Sequence, residues 1–395
     1  MHFWEYVFAV SLFIVFYNYF GYALIVALLN QLIKRADTPD NAHMPSVSFI
    51  VASFNEEDCI EKKITDSLAQ EYPREKIEFI FITDGSTDRT AEIIARYPQI
   101  KSMHRDERKG KSAAINRAVE TATNEILIFS DANTFLNPEA TRNISRHYGN
   151  GSVGGVAGEK KVITAAGTNN EVGAGEGLYW KYESFLKKMD SRFYSVVGAA
   201  GELFSLRRNL FEPVDPSVVL DDFVISLKVA AKGYRILYEP QAYAMELPSF
   251  SIGDEQKRKV RIAAGGFQAM NMLRGLLRFW KQPKLSFLYI SHRVLRWTLS
   301  PLCLVLAFVA NAILCFTNGN ALFLALFLLQ LGFYTAAAFG SSGSLSEKIK
   351  ILKVPYYFVF MNLSVILGFF RFLKGAQPAA WEKARRSQSA VIIHK

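Results

Sequence analysis

Two residue patterns divide the chain: long, almost uncharged apolar runs lie at both ends, and a mixed polar and apolar region lies between them. The first run extends from Phe3 to Ile33 with Glu5 as its charged residue, and the basic pair Lys34-Arg35 follows it. Each run approaches the ~20 residues that cross the hydrocarbon of a bilayer. The other three runs are Leu295–Phe316, Ala321–Phe339 and Val354–Phe370. Four such runs predict transmembrane helices and disfavour the alternative, buried core helices of a soluble protein.

The charges beside these runs predict their orientation. The first run is too long for a signal-peptide core and lacks a small-residue cleavage site, so we expect a retained helix. Lys34-Arg35 then predicts that the following region is cytoplasmic. Three later spans would place the carboxyl tail outside, although its basic residues favour the cytoplasm. We therefore expect one run to be re-entrant or interfacial, and Val354–Phe370 is the candidate because it is the shortest and contains Pro355 and Asn362.

The middle region opens as alternating strands and helices. Buried-type strands are predicted at 47–52, 77–83 and 125–129, and helices at 58–70, 87–97 and 111–121. This alternation predicts a mostly parallel, doubly wound α/β sheet. Ligands of such sheets bind at the carboxyl ends of the strands, so the polar residues that follow each strand are the candidates for function.

Composition excludes several classes of protein. Of the 395 residues, 50% are hydrophobic and 21% are charged, which excludes a disordered or fibrous chain. The net charge of +10 favours an anionic membrane surface or phosphate-rich ligand. A nucleic-acid binder is disfavoured because the basic residues mostly flank apolar runs. Three scattered cysteines are too few for a disulfide framework or a zinc site.

Three carboxylate-bearing loops follow the predicted strands. They are Ser53–Glu57, Asp84–Asp88 and Ser130–Asn133, and the basic loop Arg105–Lys111 lies between the last two in the chain. Carboxylate and amide oxygens suit a hard divalent cation, and lysines suit a diphosphate. The combination predicts a metal–nucleotide ligand. Taken singly, each loop is equally explained as a turn or a helix cap.

In their order along the chain, these segments resemble the inverting family-2 glycosyltransferases, whose catalytic domain has the GT-A nucleotide-sugar-binding fold. The resemblance covers about Pro45 to Arg274, and the apolar runs resemble those of the hyaluronan, chitin and cellulose synthases. By this resemblance, the opening strand and its loop imply nucleotide contacts. Residues 83–86 resemble an Asp-Asp-Gly-Ser motif in which Thr83 replaces the first Asp. Asp84 matches the second Asp, which implies a contact with uracil. Lys109-Gly110-Lys111 resembles the lysine segment near the diphosphate. The nucleotide-sugar residues implied are Ser53, Asn55, Glu56, Asp84, Lys109, Lys111, Asp131, Gln256, Arg258 and Lys259.

The later motifs imply a metal site and a base. Asp131-Ala132-Asn133 occupies the Asp-x-Asp position, so Asp131 and Asn133 are the implied ligands of Mg²⁺ or Mn²⁺. Gly198–Gly201 fits the loop near the donor and acceptor sugars. Leu220-Asp221-Asp222-Phe223 fits the Thr-Glu-Asp segment, which implies Asp222 as the catalytic base and Asp221 as the preceding acid. The same pair is also what a helix N-terminus favours.

The segment Gln256–Val260 departs from the resemblance at one position. It resembles the Gln-x-x-Arg-Trp motif of the synthases, but Val260 replaces the Trp that stacks on the acceptor sugar. Processive elongation and single transfer therefore both remain open. The surrounding residues from Ile252 to Trp280 mix basic and apolar side chains, which predicts an amphipathic helix at the membrane surface or an ordinary packed helix with a basic side.

The resemblance implies inverting transfer of a hexosyl or N-acetylhexosaminyl group from a nucleotide-diphosphate donor to a glycan acceptor. The donor is expected to be a UDP-sugar, and the product is expected to belong to exopolysaccharide or cell-surface polysaccharide synthesis. The alternative is single transfer to a lipid acceptor such as polyprenyl phosphate or a glycolipid. A decayed, non-catalytic scaffold is disfavoured because Asp84, Asp131 and Asp222 are all present. Membrane lipids and export proteins are the further implied partners, and the implied location is the bacterial inner (plasma) membrane with the catalytic domain in the cytoplasm.

Five regions are predicted. They are an N-terminal transmembrane helix over 1–35, a cytoplasmic GT-A domain over 45–250, amphipathic interfacial helices over 251–285, C-terminal transmembrane helices over 286–375 and a basic tail over 376–395.

Overall fold

Within the residues that the structure describes, eight strands form one sheet between the apolar runs. The computed structural model describes residues 2–33, 38–162, 171–247, 249, 251–342 and 349–375. In chain order the strands are β1 Val47–Ser53, β2 Ile77–Thr83, β3 Ile100–Met103, β4 Ile126–Asp131, β5 Thr134–Leu136, β6 Val153–Val162, β7 Leu203–Arg207 and β8 Arg235–Glu246. They lie side by side in the order β3-β2-β1-β4-β7-β6-β8-β5.

The first half of the sheet is parallel and the second half is mixed. β1 pairs in parallel with β2 and β4, and β2 pairs in parallel with β3. All residues of β1 are buried, as expected of a parallel strand covered on both faces. β7 runs antiparallel to β4 and β6, β5 runs antiparallel to β8, and β6 and β8 are parallel. The predicted α/β sheet is confirmed, with a mixed half that lies beyond the alternating pattern.

Helices connect the strands and form the two ends of the chain. The α-helices are α1 His2–Leu32, α2 Ile60–Leu68, α3 Thr90–Ala95, α4 Lys111–Thr121, α5 Ala140–Ser145, α6 Glu171–Phe193, α7 Asp221–Ala231, α8 Ile252–Met272, α9 Pro283–Tyr289, α10 Leu295–Trp297, α11 Leu299–Thr317, α12 Ala321–Gly340 and α13 Lys353–Leu373. A π-helical turn at Tyr17–Gly21 interrupts α1, and another at Ile290–Val294 joins α9 to α10. The helices predicted at 58–70, 87–97 and 111–121 are confirmed as α2, α3 and α4, and the first two are shorter than predicted.

Alternate residues of the strands enter two separate hydrophobic clusters, one on each face of the sheet. In β1, Ile50 packs in the cluster that contains Ile115 of α4, whereas Phe49 and Val51 pack in the cluster that contains Ile64 of α2. This follows from the two-residue period of a strand, which points successive side chains to opposite faces. The sheet is therefore the middle of three layers, and the edge where the strands end is left open for polar loops.

Four helices in the described part of the chain are long and apolar enough to cross a membrane: α1, α11, α12 and α13. They match the four predicted apolar runs. α11 begins at Leu299 because Thr298, with φ −121° and ψ −83°, separates it from α10. Near the start of the chain, Phe8 of α1 packs against Ala307, Ala310 and Leu314 of α11. Lys34-Arg35 and the tail 376–395, which carry the orientation arguments, lie outside the described residues.

The last apolar run is one continuous helix that packs along α8. Pro355 lies in the first turn of α13, where its missing N–H costs no helical hydrogen bond. An added Cβ at Gly368 would lie 2.5 Å from the Cβ of Ala263, and the ring of Phe369 lies 5.1 Å from that of Phe267. α8 and α13 therefore approach closely through small residues. Whether α13 spans the membrane or is interfacial stays a prediction.

Buried ion pairs join the sheet domain to the apolar helices. Glu183 of α6 pairs with Arg293 at 3.0 Å and with Arg296 of α10. Asp190, also in α6, bonds His292 Nδ1 at 2.6 Å and accepts from the hydroxyl of Tyr22 in α1 at 2.5 Å. Burial alone would raise the pKa of Glu183, but the two arginines outweigh it and hold that pKa well below its usual range. Because breaking a buried pair leaves an uncompensated charge, this network fixes α6 against α1 and α10.

Gly198 provides a direct test of the packing beside α7. Its φ is +83°, and an added Cβ would lie 2.0 Å from Cδ2 of Phe223. We expect Gly198→Ala to lose more unfolding free energy than backbone strain alone explains, because the methyl group also overpacks Phe223, at a cost of roughly 1–3 kcal/mol. Gly233→Ala is the matched control, since Gly233 has φ +93° and no heavy atom of the surrounding described residues within 4 Å of its added Cβ. Unfolding curves in detergent measure both, and equal losses would contradict the predicted overpacking.

Candidate active site

The carboxyl ends of β1 and β2 border a cleft that is closed by the basic loop and the start of α4. The cleft is lined by Ala52, Ser53, Phe54, Asp84, Arg108, Gly110, Lys111 and Ala114. The guanidinium carbon of Arg108 lies 3.6 Å from the centre of the Phe54 ring. This cation–π pair forms a flat wall, which suits a planar ligand group. Of the predicted nucleotide residues, Ser53, Asp84 and Lys111 line this cleft.

Asp84 accepts hydrogen bonds from three groups of the protein. One of its carboxylate oxygens accepts from the backbone N–H groups of Lys109 at 2.7 Å and Gly110 at 2.6 Å, and the other accepts from Arg117 at 2.9 Å. Asp84 is only 4% exposed. These bonds hold the basic loop against the end of β2, so in this structure Asp84 shapes the cleft.

Three other predicted nucleotide residues have their side chains engaged outside the cleft lining. The side-chain amide oxygen of Asn55 accepts from the Thr87 backbone N–H at 2.8 Å. The φ of Asn55 is +53°, which marks a tight turn. The buried Glu56 accepts from the Cys59 thiol at 3.3 Å. The Lys109 ammonium pairs with Glu107 at 3.1 Å and is half exposed. Asn55 thus links the loops that follow β1 and β2, and Glu56 is bonded within the loop after β1.

Lys111, Asp131 and Asp222 converge around Gly201. Lys111 Nζ lies 2.6 Å from Asp131 Oδ1. A Cβ added to Gly201 would lie 3.0 Å from Lys111 Nζ, 3.3 Å from Asp222 Oδ2 and 3.6 Å from Asp131 Oδ2. Glycine at 201 therefore leaves a space that three charged groups surround. These groups come from α4, the end of β4 and the start of α7. The strand-end argument predicts the position of Asp131.

Burial and neighbouring charges shift the pKa values of Asp222, Asp131 and Lys111. Burial raises the pKa of Asp222 to about 7, assisted by the like charge of Asp221 and opposed by Lys111. It also raises the pKa of Asp131, against the attraction of Lys111. For Lys111 burial would lower the pKa, but Asp131, Asp221 and Asp222 outweigh it and hold that pKa above its usual range. A carboxylate with a pKa near neutrality is suited to accept a proton at physiological pH.

Asp221 lies at the start of α7 and is 4% exposed. Its Oδ2 is buried and makes no hydrogen bond to the residues that the structure describes. An acceptor oxygen buried without a partner is costly, and in native sites it often marks an unfilled position for a ligand, water or ion.

The turn Asp131-Ala132-Asn133 connects β4 to β5, and the buried Lys63 of α2 bonds the residues on either side of it. The Lys63 ammonium donates to Ser130 Oγ at 2.7 Å and to the Thr134 carbonyl at 2.8 Å. No group of three or more His, Cys, Asp or Glu side chains in the described residues could by itself hold a metal ion. Asp131 Oδ2 and the Asn133 amide oxygen fit a Mg²⁺-type cation only if phosphate oxygens and water complete the shell, which is the common arrangement for such cations.

The predicted residues of α8 are organised by Glu255, which the sequence reasoning missed. Glu255 pairs with Arg258 at 3.0 Å and with Lys259 at 3.4 Å, and it is 1% exposed. The Lys259 ammonium also lies 5.5 Å from the ring of Trp180 and 5.2 Å from that of Tyr179, both on α6. Gln256 is half-buried on the same helix.

A second missed group is the buried cluster of Lys160, Glu202 and Glu246. Lys160 Nζ lies 2.5 Å from Glu202 Oε1 and also bonds Glu246. Glu202 directly follows Gly201, so its position beside the predicted Gly198–Gly201 loop was an available signal. Lys160 and Glu246 lie 86 positions apart, and only the pairing of β6 with β8 brings them together.

Comparisons with known proteins agree with this geometry. The family Glycosyl transferase family 2 matches residues 48–214. The poly-beta-1,6-N-acetyl-D-glucosamine synthase of Staphylococcus epidermidis is 27% identical over 261 residues, which are 64% of this chain and 61% of the relative. The synthase of the same name from Staphylococcus aureus (strain MSSA476) is 26% identical over 58% of this chain and 56% of the relative. The match thus spans less than two thirds of the length of either relative.

A solved structure matches nearly the whole chain. It is the mannosyltransferase PcManGT from Pyrobaculum calidifontis in complex with GDP-Man and Mn²⁺, which is 22% identical with a TM-score of 0.69. The match covers 93% of this chain and 99% of that one. It shows a shared fold that includes both the sheet domain and the apolar helices. Residues 48–214 of this chain therefore match glycosyl transferase family 2, the chain shares the GT-A fold, and the apolar helices indicate a membrane protein.

Proposed function

We propose that this chain transfers a hexosyl or N-acetylhexosaminyl group, with inversion, from a UDP-sugar to a glycan acceptor at the membrane during exopolysaccharide or cell-surface polysaccharide synthesis. The observation that carries the proposal is the space at Gly201, which Lys111, Asp131 and Asp222 surround. The names of the Staphylococcus relatives favour N-acetylglucosamine as the sugar. Purified protein in detergent, offered a panel of nucleotide sugars, tests this through nucleotide release and product length.

Asp222 is the proposed base. An acceptor hydroxyl is a weak acid, so a positioned carboxylate must take its proton as the oxygen attacks the anomeric carbon of the donor. The bond from that carbon to the diphosphate oxygen breaks in the same step, and the electron pair leaves on the diphosphate. A single displacement of this kind inverts the anomeric configuration. The pKa of about 7 for Asp222 supports this role.

The donor is proposed to lie between the cleft and Gly201. The wall formed by Arg108 and Phe54 would contact the base, with Ser53 and Asp84 at the end of the cleft. Lys111 would bind the diphosphate as its charge develops. Asp131 and Asn133 would hold Mg²⁺ or Mn²⁺, which when bound supplies positive charge to the leaving diphosphate.

We also propose that the sheet domain is cytoplasmic and that α8 lies at the surface of a bacterial inner membrane. The exposed basic residue Lys257 of α8 suits the level of lipid headgroups. The contacts of α8 with α13 place this helix between the sheet domain and the apolar helices. A glycan acceptor entering from this side would meet Gln256, Arg258 and Lys259.

Single transfer to a lipid acceptor is the second candidate, and the valine at position 260 favours it. Val260 lies in the contact with α13, where its carbonyl oxygen would be 3.0 Å from a Cβ added to Gly368. Residue 260 therefore provides no aromatic surface for an acceptor sugar. Product length distinguishes the candidates, since one added sugar supports single transfer and a polymer supports synthesis.

Replacing the proposed base should abolish transfer. We expect Asp222→Asn to lower the rate roughly 10²–10⁴-fold, because the amide cannot accept the hydroxyl proton. Donor binding should change little. Asp215→Asn is the control, because Asp215 is exposed and its carboxylate accepts from Ser217 within its own turn. Transfer at wild-type rate by the Asp222 variant would remove Asp222 from the mechanism.

The pH dependence of kcat/KM should report the same group. The active, deprotonated form of Asp222 is lost as the pH falls through about 7, so kcat/KM should fall below that pH. Asp221→Asn removes a like charge that raises this pKa, so the midpoint should move to lower pH. The pH–rate profiles of both proteins check this, and an unmoved midpoint in the variant would contradict the proposed coupling.

A second carboxylate at the proposed metal site should raise its affinity for the cation. We expect transfer to stop in excess chelator, and Asn133→Asp to bind Mn²⁺ more tightly because a second carboxylate strengthens binding of a hard cation. Calorimetric titration with Mn²⁺ measures the affinity. Asn150→Asp, at an exposed turn, makes the same charge change elsewhere. Equal affinities for wild type and the Asn133 variant would show that residue 133 is not a ligand.

A further inference from the structure

We propose that Lys63 on α2 is a positioning residue that holds the turn Asp131-Ala132-Asn133 in the conformation that binds the divalent cation. This inference rests on the proposed function, because it concerns the cation that would accompany the donor diphosphate. Neither the motifs of the sequence nor the resemblance to family-2 glycosyltransferases assigns a role to position 63.

The Lys63 ammonium bridges the two ends of this turn. It donates to Ser130 Oγ, just before Asp131, at 2.7 Å, and to the carbonyl oxygen of Thr134, just after Asn133, at 2.8 Å. Thr134 Oγ1 in turn donates to the carbonyl oxygen of Asp131 at 3.0 Å. The side chains of Asp131 and Asn133 therefore extend from a main chain that is held at both ends.

Ser130 connects the same ammonium to the loop that contains Gly201. The Ser130 hydroxyl accepts from Lys63 and donates to the carbonyl oxygen of Glu202 at 3.1 Å. A hydroxyl has one proton to donate, and the ammonium has only protons to offer, so the contact with Lys63 leaves that proton for Glu202. Glu202 directly follows Gly201. Lys63 is thus linked to the cation turn and to the space at Gly201.

The face of α2 that carries Lys63 contacts the chain on the far side of the turn as well. Cys59, four positions before Lys63, has its thiol sulfur 3.7 Å from the Ala132 carbonyl oxygen. Asp66, three positions after Lys63, accepts from the Leu136 N–H at 3.1 Å. Spacings of three and four residues place side chains on one face of a helix. This face of α2 therefore follows the chain from residue 132 to residue 136, and Lys63 is the cation within it.

The burial of this ammonium group indicates a role beyond filling space. Lys63 is 0% exposed, and its ion pair with Asp66 is long, at 3.9 Å. Removing an ammonium group from water costs free energy that hydrogen bonds and pairing must offset. An apolar side chain of similar length would fill the same volume without this cost. What lysine adds at this position is the pair of hydrogen bonds to Ser130 and Thr134.

The test compares Lys63→Met, which keeps the length of the side chain but removes its donors, with Lys63→Arg, which keeps donors and charge. Mn²⁺ is titrated calorimetrically into each purified protein in detergent with UDP bound. We expect the Met variant to bind Mn²⁺ roughly 10–100-fold more weakly, the typical effect of removing a residue that supports metal ligands, and the Arg variant to recover part of the affinity. Lys62→Met is the matched control, because Lys62 is exposed on the same helix, and it should bind Mn²⁺ as the wild type does.

Kinetics distinguish positioning from a loss of folded protein. In Lys63→Met the Mn²⁺ concentration that gives half-maximal transfer should rise, while the affinity for UDP without metal should stay near that of the wild type. A smaller fraction of folded protein would instead lower the maximal rate and leave that Mn²⁺ concentration unchanged, which would overturn the proposal. Equal Mn²⁺ affinities for the Met variant and the wild type would overturn it as well.

Ser130→Ala provides a second route if the Met variant does not fold. It removes one acceptor of the Lys63 ammonium and should weaken Mn²⁺ binding by a smaller factor, and an unchanged affinity would contradict the proposal. A wild-type protein that binds no Mn²⁺ beside UDP would also contradict it. A wild-type protein that binds Mn²⁺ and UDP but transfers no sugar would reject the proposed function, and the Mn²⁺ affinities of the variants would still decide the role of Lys63.

Discussion

Desolvation of charged groups governs the candidate site. The carboxylates of Asp131, Asp221 and Asp222 act on the ammonium group of Lys111, and Arg261 also interacts with Asp131 and Asp221. Charge removed from water is costly unless it is paired, so the protonation state of each group depends on its neighbours. Asp222 shows the effect, because burial and the like charge of Asp221 raise its pKa to about 7. The proposed base and the cation site proposed at Asp131 and Asn133 therefore belong to one electrostatically coupled group.

The same site is tied mechanically to the apolar helices. An added Cβ at Gly265 would lie 2.9 Å from Val219, just before Asp221, and one at Gly368 would lie 2.5 Å from Ala263. Small residues on α8 thus let this helix contact the loop before Asp221 on one side and α13 on another. The ion pairs of Glu183 and Asp190 fix α6 against α1 and α10. Both α6 and α8 therefore connect the sheet domain to the apolar helices.

Sequence reasoning is most accurate for features that depend on neighbouring residues. The strand Val47–Ser53, the helix Lys111–Thr121 and the four apolar helices follow from local periodicity and length, and the structure confirms them. The later strands β5 to β8 are short or carry polar residues, and their mixed pairing depends on contacts that no local pattern records. For the same reason the sequence does not show that Arg117 and the backbone N–H groups of residues 109 and 110 donate hydrogen bonds to Asp84.

The sequence by itself determined the kind of domain, the apolar helices and the residues Lys111, Asp131 and Asp222 as candidates for chemistry. Hydrophobic periodicity indicates the strands and helices because strand ends and helix faces are set within a few residues, whereas Asp222 was a candidate through the resemblance to family-2 glycosyltransferases. Only the tertiary structure decided which charges share one buried space, which carboxylate has its pKa raised to near neutrality, and which aromatic ring lies beside Lys259. These properties depend on desolvation and on distances between groups far apart in the chain, such as Lys160 and Glu246, and packing alone sets them.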